Sequence, residues 1–384
     1  TAPLVQLDER LWLLELFHGP TLAFKDLALQ LVGLLFDAAL ARRGEHVTII
    51  GATSGDTGSA ALEACRDRDA IDTFIFYPYG RVSEVQRRQM TTVESPNAHA
   101  IAIEGTFDDC QDLVKALFAD AQLRQALSLA AVNSINWARI AAQTVYYFAA
   151  ATALGAPYRP VSFSVPTGNF GNVYAGHVAR HMGLPIDRLV IGTNRNDILA
   201  RYIANGEMTI AAVEPSLSPS MDIQVSSNFE RLLFELKDRD GAAVGEAIAS
   251  FRRTGTLPRS DAEWRAAQGL FSAHRVDDSK TMQTIAETYA RSGMLIDPHT
   301  AVAVGAARAE LDADPGAAPM VALACAHPAK FPDAVERATG IRPPLPSALA
   351  DLFERRERLT VLPNNQAAIT SYIRTHARRN ERVA

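Results

Sequence analysis

Short β-rich apolar runs alternate with helical stretches along most of the chain. Val47-Thr48-Ile49-Ile50 predicts a buried strand, followed by a Gly/Thr/Ser turn and a helix through Ala60 to Arg66. Thr73 to Tyr77 predicts a second strand with a helix over Ser83 to Met90, and Ala98 to Ile103 a third. An acidic start at Asp108-Asp109 opens the next helix through Phe118, and Ala130-Ala131-Val132 is a short further strand. A long helix is expected over Ala138 to Leu154. A second set has strands at Val161 to Val165, Arg188 to Ile191 and Met320 to Ala324, with helices between them. Such alternation predicts an α/β protein with two parallel or mixed sheets flanked by helices. Pro157 and Pro160 fall between the two sets as a hinge. Residues 205 to 265 look less regular, because Pro215, Pro219 and Pro258 interrupt stretches such as the helix over Phe229 to Lys237.

Composition narrows the class. With 48% hydrophobic and 21% charged residues there is ample material for a core, and 384 residues suit two domains. The formal net charge of -5 argues against a polyanionic partner, so no nucleic acid is expected. A basic cluster near the end (Arg374, Arg378, Arg379, Arg382) reads as a solvated helix face. Cys65, Cys110 and Cys325 are widely spaced, which argues against a disulfide framework and for a reducing, cytoplasmic setting. No apolar run approaches the roughly 20 residues of a membrane span. The chain begins at Thr1 rather than Met, so a processed or truncated N-terminus is expected. His18, His274, His299 and His327 lack ligand-like spacing, and no metal is indicated.

Two loops have the character of anion sites, because each follows a strand and opens a helix. Gly51-Ala52-Thr53-Ser54-Gly55-Asp56-Thr57-Gly58 offers hydroxyls and amides to an anion such as a carboxylate; a well-capped helix start explains it equally well. No Lys follows its last glycine, so it is not a nucleotide-binding P-loop. In Val165-Pro166-Thr167-Gly168-Asn169-Phe170-Gly171-Asn172 two glycines let several N–H groups converge, which favours a phosphate cradle. The absence of a Gly-x-Gly-x-x-Gly pattern argues against a dinucleotide. Lys25 sits in a largely apolar stretch, His18 to Asp26, where desolvation favours the neutral, imine-forming amine. A lone lysine there would be a surface residue. A lysine, a phosphate cradle and a carboxylate loop together are what an amino-acid enzyme using pyridoxal 5'-phosphate (PLP) requires.

HGPTLAFKD (18–26), ATSGDTG (52–58) and PTGNFGN (166–172) occur in the order found in threonine synthases, and the chain resembles that family. GRVSEVQRRQM (80–90), GTFDDCQ (105–111), NSINWARI (133–140), SPSMDIQVSSNFERLLFE (218–235), DPHTAVAVGAA (297–307) and AHPAKF (326–331) resemble its shorter microbial and fungal-type branch. The resemblance implies the PLP fold type II, with the active site in the cleft between domains. It also implies a large PLP-binding domain (1–26 plus 155–345), a smaller mobile domain (27–154) and a C-terminal helical tail (346–384).

On the same grounds, Lys25 is the Schiff-base lysine and proton shuttle, and Gly168, Asn169, Phe170, Gly171 and Asn172 hold the cofactor phosphate. Thr53, Ser54, Asp56 and Thr57 match the loop near the substrate carboxylate and the cofactor hydroxyl. A carboxylate at Asp56 would repel the substrate's own, so its side chain is expected to turn away and cap the helix. Asn133, Ser134 and Arg139 match the segment that grips the substrate phosphate. Two departures stand out. Family members carry a further N-terminal segment ahead of the Lys25 block. Before AHPAKF the family has Ser-Thr where this chain has Ala324-Cys325, so Cys325 would face the pyridine nitrogen in place of a hydroxyl. The implied reaction converts O-phospho-L-homoserine and water to L-threonine and phosphate. The alternatives are a phospho-lyase releasing 2-oxobutanoate, or an impaired, merely ligand-binding relative. The resemblance adds no membrane or nucleic-acid partner, and a monomer or homodimer is expected.

Overall fold

The computed structural model describes residues 2–131, 136–314 and 318–378. Its strands are β1 (Leu4–Gln6), β2 (Leu11–Glu15), β3 (Val47–Ala52), β4 (Ile71–Pro78), β5 (Ala98–Glu104), β6 (Leu129–Ala131), β7 (Val161–Pro166), β8 (Ile186–Thr193), β9 (Phe271–Arg275), β10 (Met320–Ala324) and β11 (Thr360–Pro363). They form two sheets in two compact units, Thr1–His18 with Trp137–Pro343 and Gly19–Asn136 with Pro344–Ala384.

The first unit carries six strands in the order β1-β2-β10-β7-β8-β9, parallel except for the β1–β2 pairing. Helix Pro298–Ala313 is apolar nearly all round and buried against this sheet, its Val302, Ala303 and Ala306 clustering with Leu13, Val190 and Ala322. Small residues let the layers approach closely: a Cβ on Gly192 would lie 3.1 Å from the Val302 carbonyl oxygen. Pro298 at the first turn and Asp297 as cap, accepting from the Thr300 and His299 N–H groups, fix where the helix starts.

In the second unit the order is β11-β5-β4-β3-β6, parallel throughout. All eight residues of β4 are buried, as befits a central strand covered on both faces. One face packs on helix Asp56–Cys65 through Ala60, Ala61 and Ala64; the other packs Phe74, Phe76 and Ile101 against Leu113, Ile369 and Ile373.

Every strand expected from the pattern lies within or overlaps an observed one. The compact units divide differently from the expected domains. The Lys25 block groups with the second sheet, helix Trp137–Ala153 with the first, and residues from 344 on add β11 to the second sheet instead of forming a tail. The irregular stretch 205–265 contains helices Gly241–Thr254 and Asp261–Gln268. The basic cluster is no uniform solvated face: Arg378 donates Nε–H to the fully buried Asp72 at 2.7 Å, while Arg379 and Arg382 lie outside the described residues. Among the described residues no helix is long and apolar enough to cross a membrane.

Candidate active site

In the second unit, Lys25 is the first residue of helix Lys25–Arg43. The turn before it is fixed by Asp26, whose buried carboxylate accepts from the Thr21 N–H at 2.9 Å and the Thr21 hydroxyl at 2.6 Å. Gly19 is required there, since a Cβ would sit 2.4 Å from the Asp26 side chain. The Lys25 side chain is 12% exposed, and its ammonium lies 4.8 Å from the Phe24 ring centroid and 3.5 Å from Asp56 Oδ2.

Asp56 does not turn away to cap its helix, as the sequence led us to expect. It occupies the first helical position after Gly55, too far along to act as the cap. Its buried carboxylate instead faces Lys25 and accepts a 2.9 Å hydrogen bond from Gln86 Nε2. Thr53, matched to the substrate-carboxylate loop, is buried, and its Oγ1 accepts from the Gly55 and Gly58 N–H groups at 3.0 and 2.8 Å. The well-capped helix start is thus the better account of that hydroxyl. Ser54 and Thr57 are partly exposed at the mouth of the same loop.

In the first unit, β7 runs into Gly168-Asn169-Phe170 and then into helix Gly171–His181. Phe170 adopts φ 63°, a left-handed conformation uncommon outside glycine, and its ring is buried against Phe229 and Phe271. No side chain among the described residues caps this helix, so its first N–H groups remain available to an anion. The loop is braced from residues 226–228: Ser226 donates to the Gly168 carbonyl at 2.7 Å, and the Asn228 amide donates to the Asn169 carbonyl at 3.0 Å. A Cβ on Gly168 would lie 3.1 Å from Met221 Cα and the Ser220 carbonyl oxygen. That turn is positioned in its own right by His299: Asp297 accepts from Nδ1 at 2.8 Å, leaving Nε2 to accept from the Ser220 N–H.

The Asn172 side chain is committed within the protein. Its Oδ1 accepts from the Tyr146 and Tyr147 hydroxyls at 2.6 and 3.1 Å, and its amide donates to Cys325 Sγ at 3.5 Å. What Asn172 can offer a phosphate is its backbone N–H. Burial drives both tyrosines well above the usual phenol range, which keeps them as neutral donors. On the same helix Arg139 is buried, and desolvation pushes its guanidinium down to about 10. Its Nε and Nη1 have no hydrogen-bond partner among the described residues. Asn133 and Ser134 lie outside the described residues.

Sequence reasoning missed Gln86, Tyr146 and Tyr147, whereas His299 was expected to be structural or to support the site, and it does brace the Ser220 turn. Gln86 carries a local signal, since Ser83-x-x-Gln86 is a capping box. The tyrosines carry none, because their partners are distant in sequence.

These residues suit PLP. A largely buried lysine fits the aldehyde, an uncapped helix end behind a braced glycine loop fits the phosphate, and Cys325 beside Asn172 offers a soft partner for the ring nitrogen. By fold and residues, the chain is a PLP-dependent enzyme of the two-sheet α/β class. Residues 2–250 match the family described as pyridoxal-phosphate dependent enzyme, and residues 300–373 match threonine synthase, C-terminal. A threonine synthase of Pseudomonas aeruginosa is 58% identical over 381 residues, covering 99% of this chain and 81% of the relative. A PLP-bound threonine synthase structure from Brucella melitensis superposes with a TM-score of 0.95 at 54% identity, covering 98% of this chain and 81% of that one. The yeast threonine synthase structure gives a TM-score of 0.91 at 40% identity, with coverages of 98% and 81%. The chain belongs to the threonine synthase family, whose members are PLP-dependent lyases.

Proposed function

We propose that this chain converts O-phospho-L-homoserine and water to L-threonine and phosphate. The observation that carries the reading is Arg139: a buried guanidinium with two donors lacking a described partner is costly to fold around unless an anion meets it. A phosphorylated substrate supplies that anion, and a planar guanidinium can bind it through two oxygens.

When bound, PLP withdraws electrons from the carbon bearing the substrate amine, which allows protons to leave the α- and β-carbons. The chain's own residues do the rest. Lys25 would hold the cofactor through its amine and would carry protons at the α- and β-carbons of the substrate, with Asp56 Oδ2 3.5 Å from its Nζ to orient it. Backbone N–H groups of Gly168 to Asn172 would hold the cofactor phosphate, and Cys325 would offer a partner to the ring nitrogen. Ser54 and Thr57 hydroxyls, with loop amides, receive the substrate carboxylate. Arg139 grips the phosphate that departs from the γ-carbon. We place the reaction in the cytoplasm, which suits buried cysteines that form no disulfide among the described residues.

Incubation with phosphohomoserine and PLP should yield threonine and inorganic phosphate in equal amounts. Accumulation of 2-oxobutanoate instead would assign a phospho-lyase. Lys25→Ala should remove the absorbance band of lysine-bound cofactor; an unchanged band would move the attachment to another residue.

A further inference from the structure

Gln86 is buried at 2% exposure in helix Glu84–Thr91, and no part of the proposed chemistry uses it. Its side-chain amide bridges two groups. Oε1 accepts from the Ser83 N–H at 3.1 Å, and Nε2 donates to Asp56 Oδ1 at 2.9 Å. The first contact decides the second: an N–H can only be met by the amide oxygen, so the NH₂ end must point at Asp56. Ser83 completes the box by accepting from the Gln86 N–H at 3.2 Å, which anchors the side chain to its own backbone. Gly55 makes room for it, since a Cβ there would lie 2.4 Å from Gln86 Cδ.

We propose that Gln86 is a positioning residue that presents Asp56 to Lys25. A donor fixed on Oδ1 holds the carboxylate in one orientation, with Oδ2 turned to the Lys25 Nζ. The capping box is thereby more than a helix start, because it couples the end of one helix to the charge state of the cofactor lysine. This rests on the assignment of Lys25 as that lysine.

The test exploits an asymmetry. Glutamate serves the capping box as well as glutamine does, but an ionised glutamate cannot donate to Asp56. If Gln86 acted only as a cap, the charge-neutral Gln86→Met would leave Lys25 unaltered, so that variant decides the proposal and Gln86→Glu reports how strongly Lys25 responds to added charge. The readout is competitive acylation of the full chain before cofactor is added, with Lys25 measured against the exposed Lys115 by peptide mass spectrometry. At alkaline pH, Gln86→Glu should slow Lys25 acylation about tenfold, since added negative charge favours the unreactive ammonium. Gln86→Met, which removes the donor without adding charge, should speed it about threefold, because Asp56 is no longer held against Lys25. Acylation of Lys25 within twofold of wild type in Gln86→Met overturns the proposal. So does outright unfolding of both, which would make the amide a fold element. Borohydride fixation of PLP on the wild-type chain separates the two levels. Label on a lysine other than Lys25 overturns the underlying assignment and the inference with it. Label on Lys25 with unaltered acylation in Gln86→Met overturns the role of Gln86 alone.

Discussion

Replacing Arg139 by methionine tests the anion site from the side of stability. Burial lowers the guanidinium from its ordinary value to about 10. A base whose pKa is lower in the folded state disfavours folding wherever both states hold the proton, so the penalty is fully present at pH 7 and is relieved only above about 10. A shift of that size corresponds to about 3 kcal/mol against the folded chain. Methionine fills most of the same volume without charge or orphaned donors, and some methylene packing is lost, so the net gain should be about 1–2 kcal/mol. The thermal midpoint at pH 7 without ligand should therefore rise by roughly 2–6 °C. Inorganic phosphate or phosphohomoserine should raise the midpoint of the wild type by mass action and leave the variant's nearly unmoved. A variant less stable than the wild type, with its phosphate-induced shift intact, would mean that the guanidinium is already satisfied inside the protein and that the anion binds elsewhere.

Other expectations follow from the same accounting. Burial lowers His99 and His177 from 6.5 to about 4; the unfolded chain then binds protons first, so stability present above 6.5 is lost as pH falls toward 4. Urea midpoints across that window should show the slope, and His177→Phe should flatten it. Gly55→Ala forces a φ of 133° on a side-chain-bearing residue whose Cβ meets Gln86 at 2.4 Å, and should cost about 2–4 kcal/mol in urea unfolding. Thr53→Val leaves the Gly55 and Gly58 N–H groups without their acceptor and should cost about 2–4 kcal/mol, whereas Thr53→Ser should cost under about 1. Arg378→Met exposes the consequence of burying Asp72, which is fully inaccessible, and should cost about 2–3 kcal/mol; Asp72→Asn in the same chain should recover part of the loss.

The alternation of strands and helices was legible because each central strand is a local apolar run. What local pattern cannot supply is the partner. Leu11 pairs with Met320 and Thr360 with Ile101, so β2 and β11 make sense only once distant segments are adjacent. Arg378 looked like part of a solvated face for the same reason: its carboxylate partner lies 306 residues away. At the candidate site, the electrostatic objection to a carboxylate at Asp56 was sound, yet a positive partner answered it instead of a change of direction. Lys25 was in view from the start, but the spacing of 31 residues between it and Asp56 carries no geometric signal until the strand between them is placed.

Motif matching also over-assigns side chains. Thr53 and Asn172 are the polar residues that a ligand-centred reading selects first, and each has a side-chain oxygen accepting two hydrogen bonds from within the protein. Their work is to shape loops whose outward-facing groups are main-chain N–H, supported by glycines at positions where a Cβ would collide. A main-chain anion site has to be held rigid from behind, because backbone amides cannot turn to follow a ligand as side chains can. The polar residues of such a motif are therefore best tested first for their effect on the unliganded fold. Direct ligand contact should be sought in the few charged groups that folding alone does not satisfy. By that criterion Arg139, whose Nε and Nη1 meet no partner among the described residues, is the group to test in the first unit.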